Sequence, residues 1–479
     1  MELTQIFWVK TILVKMVMNK DLNDQIVDIS SVDWVSATET RNYSQDEHLL
    51  DWLKLFGERN GFKSDEKYPD FDQRTDFSRF VMEKGILFEK AIANYLSCGL
   101  DLHEINSDGV QEPFQSLYSQ TITAINSGAE LIYQPAMIHY PSKTYGFSDF
   151  LIRSDKLKEL FPENITLEES QIPCSISGDN PWHYRVIDIK FATLNFLSGG
   201  DLSASQGSSW AYMHQIYIYN RALGAMQGYR PPGGYLLGRK WRQKIKGVEL
   251  RSNNSLDRLG FVPDTTTSRS KGPLPESVES ACLWLRELRS EGESWNVFPE
   301  PTRPELRPNM TSINDQPWHR CKREIDDILK DLTGLWQVGV AKRNDANNIG
   351  ILRRDQLGYT SGQLGVGGEK QSRKLQQIID VNSKASKKTI LPEKIIQCNQ
   401  DWRINDDVEF FVDFETVSDL DDDFTKIFKD LNNDETVRKA IKLYPGLRLL
   451  RQDPFQCYIS FIVSSNSNIP NIQSRLQNL

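Results

Sequence analysis

The spacing of hydrophobic positions changes period several times along this chain, and each change predicts an element. Residues 80–96 carry a helical stripe: Gly85, Ile92, Ala93 and Leu96 lie four before and three, four and seven after Glu89, which places Glu89 on the apolar face of a helix. Residues 131–140 form an extended apolar run, residues 141–144 have turn composition, and residues 145–153 are extended again. This predicts a β-hairpin with Asp149 in the middle of its second strand. Residues 182–190 are rich in β-branched and aromatic side chains, and period two puts Asp188 and Lys190 on one face of that strand. Helical spacing returns over residues 208–223, where Gln215 and Tyr219 share a face one turn apart. Residues 234–238 then read as a strand. The predicted order is helix, three strands, helix, strand.

The flanking sequence has weaker patterning. Residues 1–78 read as a polar and aromatic lead-in that packs on the core. Within it, residues 7–18 are apolar but interrupted by Lys10 and Lys15, which favours a buried strand or helix over a signal peptide; a membrane span needs ~20 apolar residues. Residues 251–305 combine a Ser-, Asn-, Asp- and Thr-rich linker with one helix. Residues 306–372 form a helical region, with a helix expected over 318–335. Its final loop, Gly362 to Gly368, runs into Glu369-Lys370 without the G-K-[ST] ending of a phosphate loop. Residues 373–479 make up the last segment.

A length of 479 residues suits two or three domains, and the composition is that of a globular protein. The net charge of -8 excludes a global basic field, so any nucleic acid must be held through a local basic groove or through metal ions. One local candidate exists. Arg239, Lys240, Arg242 and Lys244 surround Trp241 immediately after the last predicted strand, where a solvated strand end is the plainer alternative. The six cysteines are scattered with no C-x-x-C spacing. This argues against a zinc ribbon or an iron–sulfur cluster and points to a reducing, intracellular setting, cytoplasm or nucleus.

Carboxylates on an apolar stripe and in the middle of strands are costly unless paired or bound to a metal. A carboxylate beside an ammonium on one strand face suits a site that handles a cation and an anion together. Any one of these residues alone has a bland reading as a surface ion pair or a helix-edge charge. The ordered set F-E on a helix, G-F-S-D-F, I-D-I-K and then Q-x-x-x-Y resembles the PD-(D/E)XK nuclease superfamily in its RecB-type branch, over residues 79–250. The resemblance implies an α/β fold with a restriction-endonuclease-like core, a mixed central β-sheet flanked by helices. It implies that Glu89, Asp149, Asp188 and the main-chain carbonyl of Ile189 hold Mg²⁺ or Mn²⁺. Lys190 would act on the attacking water, and Gln215 and Tyr219 would position substrate or buttress the site. DNA is the favoured substrate by analogy. Asp149 and Asp188 are 39 positions apart, so residues 157–180 would form an insertion between their strands.

Two further resemblances lie downstream. Residues 333–351 resemble a degraded helix-hairpin-helix, with plain helical packing as the alternative. Asp413 and Glu415, a D-x-E on an apolar strand, resemble the opening of an RNase H-like DEDD exonuclease. Only 64 residues follow Glu415, so the segment reads as a partial RNase H-like piece carrying a vestigial second site. The alternatives to a metal-dependent nuclease are a silent nucleic-acid-binding or assembly module with a nuclease fold, and a 3′–5′ exonuclease completed in a longer product.

Overall fold

The computed structural model describes residues 28–73, 76–105, 112–178, 180–205 and 207–383. All of them belong to one of the chain's two compact units, Met1–Lys394. The apolar run at 7–18 and the D-x-E pair Asp413 and Glu415 lie outside the described residues.

The chain is a mixed α/β protein. In order, its elements begin with β1 (Val35–Ser36), α1 (Thr40–Ser44), α2 (His48–Trp52), α3 (Phe77–Leu96), β2 (Leu102–Glu104) and α4 (Phe114–Ser127). Four short strands follow: β3 (Leu131–Tyr133), β4 (Ala136–His139), β5 (Thr144–Phe147) and β6 (Phe150–Arg153). Then come α5 (Ser154–Leu160), α6 (Leu167–Ser170), the long β7 (Tyr184–Phe196), α7 (Ser209–Gln227), the long β8 (Gly233–Ile245), β9 (Val248–Ser252) and β10 (Gly260–Pro263). The remainder is β11 (Thr267–Ser268), β12 (Gly272–Pro273), α8 (Leu274–Glu291), α9 (His319–Leu329), α10 (Val340–Asn348) and α11 (Glu369–Asn382).

The main sheet has the order β10-β8-β7-β6-β3-β2, with β9 pairing along the far half of β8. It is mixed: β7 runs parallel to β8 and β2 parallel to β3, while β6 is antiparallel to both of its neighbours. Alternation along the strands feeds two cores. Ile132, Leu151, Val186 and Leu236 join one cluster with Met213, Ile216 and Leu223 of α7. Leu131, Phe150, Ile152, Ile187 and Tyr235 join another with Ile92, Ala93 and Leu96 of α3 and Leu157 of α5. A sheet buried on both faces by helices is the arrangement that a continuous apolar strand such as β7 requires. Helix α7 is buried nearly all round because α1, α8 and β4 cover the side that faces away from the sheet. Gly234 allows that close packing, since a Cβ there would lie 2.9 Å from the Ile216 methyl.

The predicted hairpin differs in an instructive way. Its two strands are each broken once, and each half joins a different sheet. β3 and β6 pair inside the main sheet, whereas β4 and β5 pair in a second three-stranded sheet, β1-β5-β4. Pro135 interrupts the first strand, and Ser148 and Asp149 lie between β5 and β6. Asp149 is therefore at a junction between sheets, not in mid-strand. The insertion expected between Asp149 and Asp188 is present as α5 and α6, and β6 and β7 pair antiparallel across it.

Of the linker and helix expected over 251–305, the helix is present as α8, and the stretch before it carries strands. β9 crosses the boundary expected at 250, β10 completes the edge of the main sheet on β8, and α8 buries Val278, Cys282, Leu285 and Leu288 in the first cluster. The lead-in packs on this helix. The Trp52 Nε1 donates to the Gly292 carbonyl at 2.8 Å, and the Trp284 Nε1 donates to Asp51 Oδ2 at 3.1 Å. The helix expected over 318–335 stops at Leu329, because Lys330 adopts a left-handed conformation (φ 54°) and Asp331 caps the next turn by accepting from the Thr333 N–H. The Gly362 to Gly368 loop is anchored by Leu364 and Val366, buried with Leu335, Val338, Ala346, Leu375 and Ile379 in a third cluster. Helix α11 thus carries the compact unit past the boundary expected at 372. No helix among the described residues is long and apolar enough to cross a membrane.

Candidate active site

The site is built where the broken hairpin meets β7. Strands β6 and β7 pair with Phe150 opposite Ile187. One register step further, Asp149 stands opposite Asp188. The Ile189 N–H donates to Asp149 Oδ2, so the carboxylate is tied to the neighbouring strand at that level. Asp188 shares its face with Val186 and Lys190, and that face looks toward α7. Its Oδ2 is buried, has the Lys190 Nζ 2.5 Å away, and accepts no directed hydrogen bond.

Lys190 is held by a second partner, donating from Nζ to Gln215 Oε1 at 2.8 Å, and it lies over the ring of Tyr212. Tyr219, one turn after Gln215, is buried against Gly146 of β5. A Cβ at position 146 would stand 2.8 Å from its ring, so only glycine leaves space for it. Gln215 and Tyr219 thus close the α7 side of the carboxylates.

Glu89 comes from the other face. Half-buried on α3, it accepts at Oε1 from the Tyr133 hydroxyl and from the Gln134 Nε2, both at 2.9 Å. Helix α3 is set by its N-cap, since the Asp76 side chain accepts from the Ser78 and Arg79 N–H groups. Asp149, Asp188, Lys190, Gln215 and Tyr219 therefore meet on the α7 side, and Glu89 approaches from the α3 side, linked to the Asp149 backbone through Gln134.

The electrostatics follow from this convergence. Burial, then the charges of Asp188 and Glu89, hold the Asp149 carboxyl well above the usual carboxylate range, against the pull of Lys190. Burial works against the charge on Lys190, but Asp188 and Asp149 outweigh it and lift the ammonium above its ordinary value. The Tyr219 phenol is pushed far up by burial and by the same two carboxylates, so it is a neutral wall and not a base.

Two facing carboxylates supply hard oxygen donors of the kind a divalent cation takes. Mg²⁺ takes oxygen ligands and keeps several of its waters, so one or two carboxylates suffice. Among the described residues no three Asp, Glu, His or Cys side chains stand close enough to enclose an ion. An ion held by Asp149 and Asp188 would therefore not be enclosed by protein side chains alone. Ile189, whose carbonyl is the group expected to contribute, donates its N–H to Asp149 Oδ2.

The basic stretch begins one residue past this level. Lys190 is in register with Gly238 on β8, and Thr193 with Lys240 beyond a bulge. Arg239 and Lys240 are half-buried, Arg239 lying over the Phe191 ring, whereas Arg242 and Lys244 are exposed. Tyr133, Gln134 and Tyr212 were not singled out from the sequence. The signal available for the first two was Pro135, which breaks an otherwise continuous apolar strand beside them.

Comparison with family models, with curated proteins and with solved structures returns no match.

Proposed function

We propose that this chain is a divalent-metal-dependent nuclease that hydrolyses phosphodiester bonds, with DNA as the substrate its sequence resemblance favours. The observation that carries the reading is the placement of Asp149 opposite Asp188, with Lys190 two residues along the same strand face.

Asp149 and Asp188 would hold Mg²⁺ or Mn²⁺, and Glu89 would reach the same cation through a water. When bound, the ion supplies Lewis-acid stabilisation of charge on the phosphoryl oxygens. The protein's own groups do the rest. Lys190, pinned between Asp188 and Gln215, presents a fixed positive charge to the scissile phosphate and to the water that attacks it. Tyr219 and Gly146 close one wall and keep the carboxylates out of bulk water. Arg242 and Lys244 continue along β8 from the level of the site, so a phosphate backbone bound there would lead toward it despite the overall charge of -8.

The test is cleavage of labelled single- and double-stranded DNA and RNA by purified protein with Mg²⁺, with Mn²⁺ and with EDTA, beside Asp188→Asn and Lys190→Ala. The expected result is metal-dependent cutting that falls by about a hundredfold or more in either variant. Folded wild-type protein that cuts nothing under any condition overturns the reading in favour of a binding or assembly module.

A further inference from the structure

Gln134 occupies a backbone position that its side-chain type disfavours. It takes a left-handed conformation, φ 53°, at the point where the first strand of the hairpin leaves the main sheet. Glycine or asparagine would adopt that conformation more readily. Strain kept at a site is a reason to ask what the side chain does there. Its Nε2 donates to Glu89 Oε1 at 2.9 Å, and its backbone N–H donates to the Asp149 carbonyl at 2.8 Å. One residue is thus bonded both to the helix carboxylate and to the backbone of the junction carboxylate. Tyr133, the residue before it, donates its hydroxyl to the same Glu89 oxygen. Asparagine, one methylene shorter, would satisfy the backbone but fall short of Glu89.

We propose that Gln134, with Tyr133, is a positioning residue of the metal site: it clamps Glu89 against Asp149 across the junction between the two sheets, so that a divalent cation meets a preset arrangement of carboxylates. This rests on the nuclease reading above. Groups that orient carboxylates toward a metal typically change its affinity by about 10–100-fold when removed.

The experiment is Mn²⁺ binding to the full chain, followed by the electron paramagnetic resonance of free Mn²⁺, for wild type, Gln134→Asn and Tyr133→Phe, with thermal unfolding of each in EDTA. The expected result is a rise of about tenfold in the half-saturating Mn²⁺ concentration for Gln134→Asn. Its unfolding temperature should be unchanged or higher, because asparagine relieves the backbone. Tyr133→Phe should weaken Mn²⁺ binding in the same direction and serves as the independent variant should Gln134→Asn fold poorly. Wild-type Mn²⁺ affinity in both variants overturns the proposal while leaving the nuclease reading intact. Absence of Mn²⁺ binding by the wild-type protein overturns the metal site itself, and the proposal with it.

Discussion

Asp149 and Asp188 face each other across two antiparallel strands, one register step beyond the Phe150–Ile187 pair, although a two-helix insertion separates them in the chain. The pair is an unfavourable element of the fold. Burial and the neighbouring carboxylates raise the Asp149 carboxyl, which means that ionising it costs the folded state free energy.

Removing that charge should therefore stabilise the protein. In EDTA at pH 8, Asp149→Asn is expected to melt higher than wild type, by roughly 2–4 °C for each kcal/mol relieved. The asparagine oxygen can still accept from the Ile189 N–H. Millimolar Mn²⁺ should reverse the order, because it stabilises only the protein that binds it. A lower melting temperature for Asp149→Asn in EDTA would contradict the electrostatic account of the site.

The basic strand can be read through its salt dependence. Each phosphate contact contributes a slope of about 0.9 for duplex DNA, or about 0.7 for a single strand, in a plot of log affinity against log salt. The exposed pair Arg242 and Lys244 should together account for about 1.8 or about 1.4 of that slope. Fluorescence anisotropy of Arg242→Ala/Lys244→Ala on both forms of DNA measures it, and an unchanged slope would place the nucleic acid elsewhere.

A different buried charge holds the lead-in to the α9 region. The Lys322 Nζ lies 2.9 Å from Glu47 Oε1 and 2.7 Å from Asp315 Oδ2, and donates to the carbonyls of Asn309 and Ser312. Lys322→Met would leave two carboxylates buried without their cation, at a cost of about 3–5 kcal/mol near neutral pH. Burial already pushes Glu47 up to about 7 despite the lysine. The deficit should shrink as pH falls toward 5, where Glu47 can take up a proton. Urea unfolding at pH 7.5 and pH 5 tests both magnitude and direction.

His214 sets an opposite acid limit. It is fully buried on α7, its Nε2 within 2.9 Å of the Ser277 hydroxyl, and burial depresses it to about 3. A depressed folded-state value means that the unfolded chain takes the proton first. The stability is therefore present above the ordinary histidine value of about 6.5 and is lost as pH falls toward 3, by up to about 1.4 kcal/mol per pH unit. His214→Gln should flatten the stability profile between pH 6 and pH 4 by that amount. An identical slope in the variant would show that other groups control acid unfolding.

Local periodicity was enough to place α3, β7, α7 and the start of β8 in order, while α4 and the short α5 and α6 were not predicted from it. It put Asp188 with Lys190 on one strand face and Gln215 with Tyr219 on one helix face, because those relations depend only on the geometry of a single element. The same periodicity read residues 131–153 as one hairpin and the part of 251–305 ahead of its helix as a linker. Both readings needed information that no single element carries. A strand is free to change sheets, and a short Gly-Phe-Val-Pro segment to become the edge of one, when doing so buries apolar surface on partners distant in sequence. What only the tertiary structure decided is therefore the pairing of Asp149 with Asp188 and the clamp of Gln134 on Glu89. Strand register across an insertion, and the meeting of a helix with a sheet junction, are set by the packing of two cores on opposite faces of the sheet, which acts on the whole chain at once.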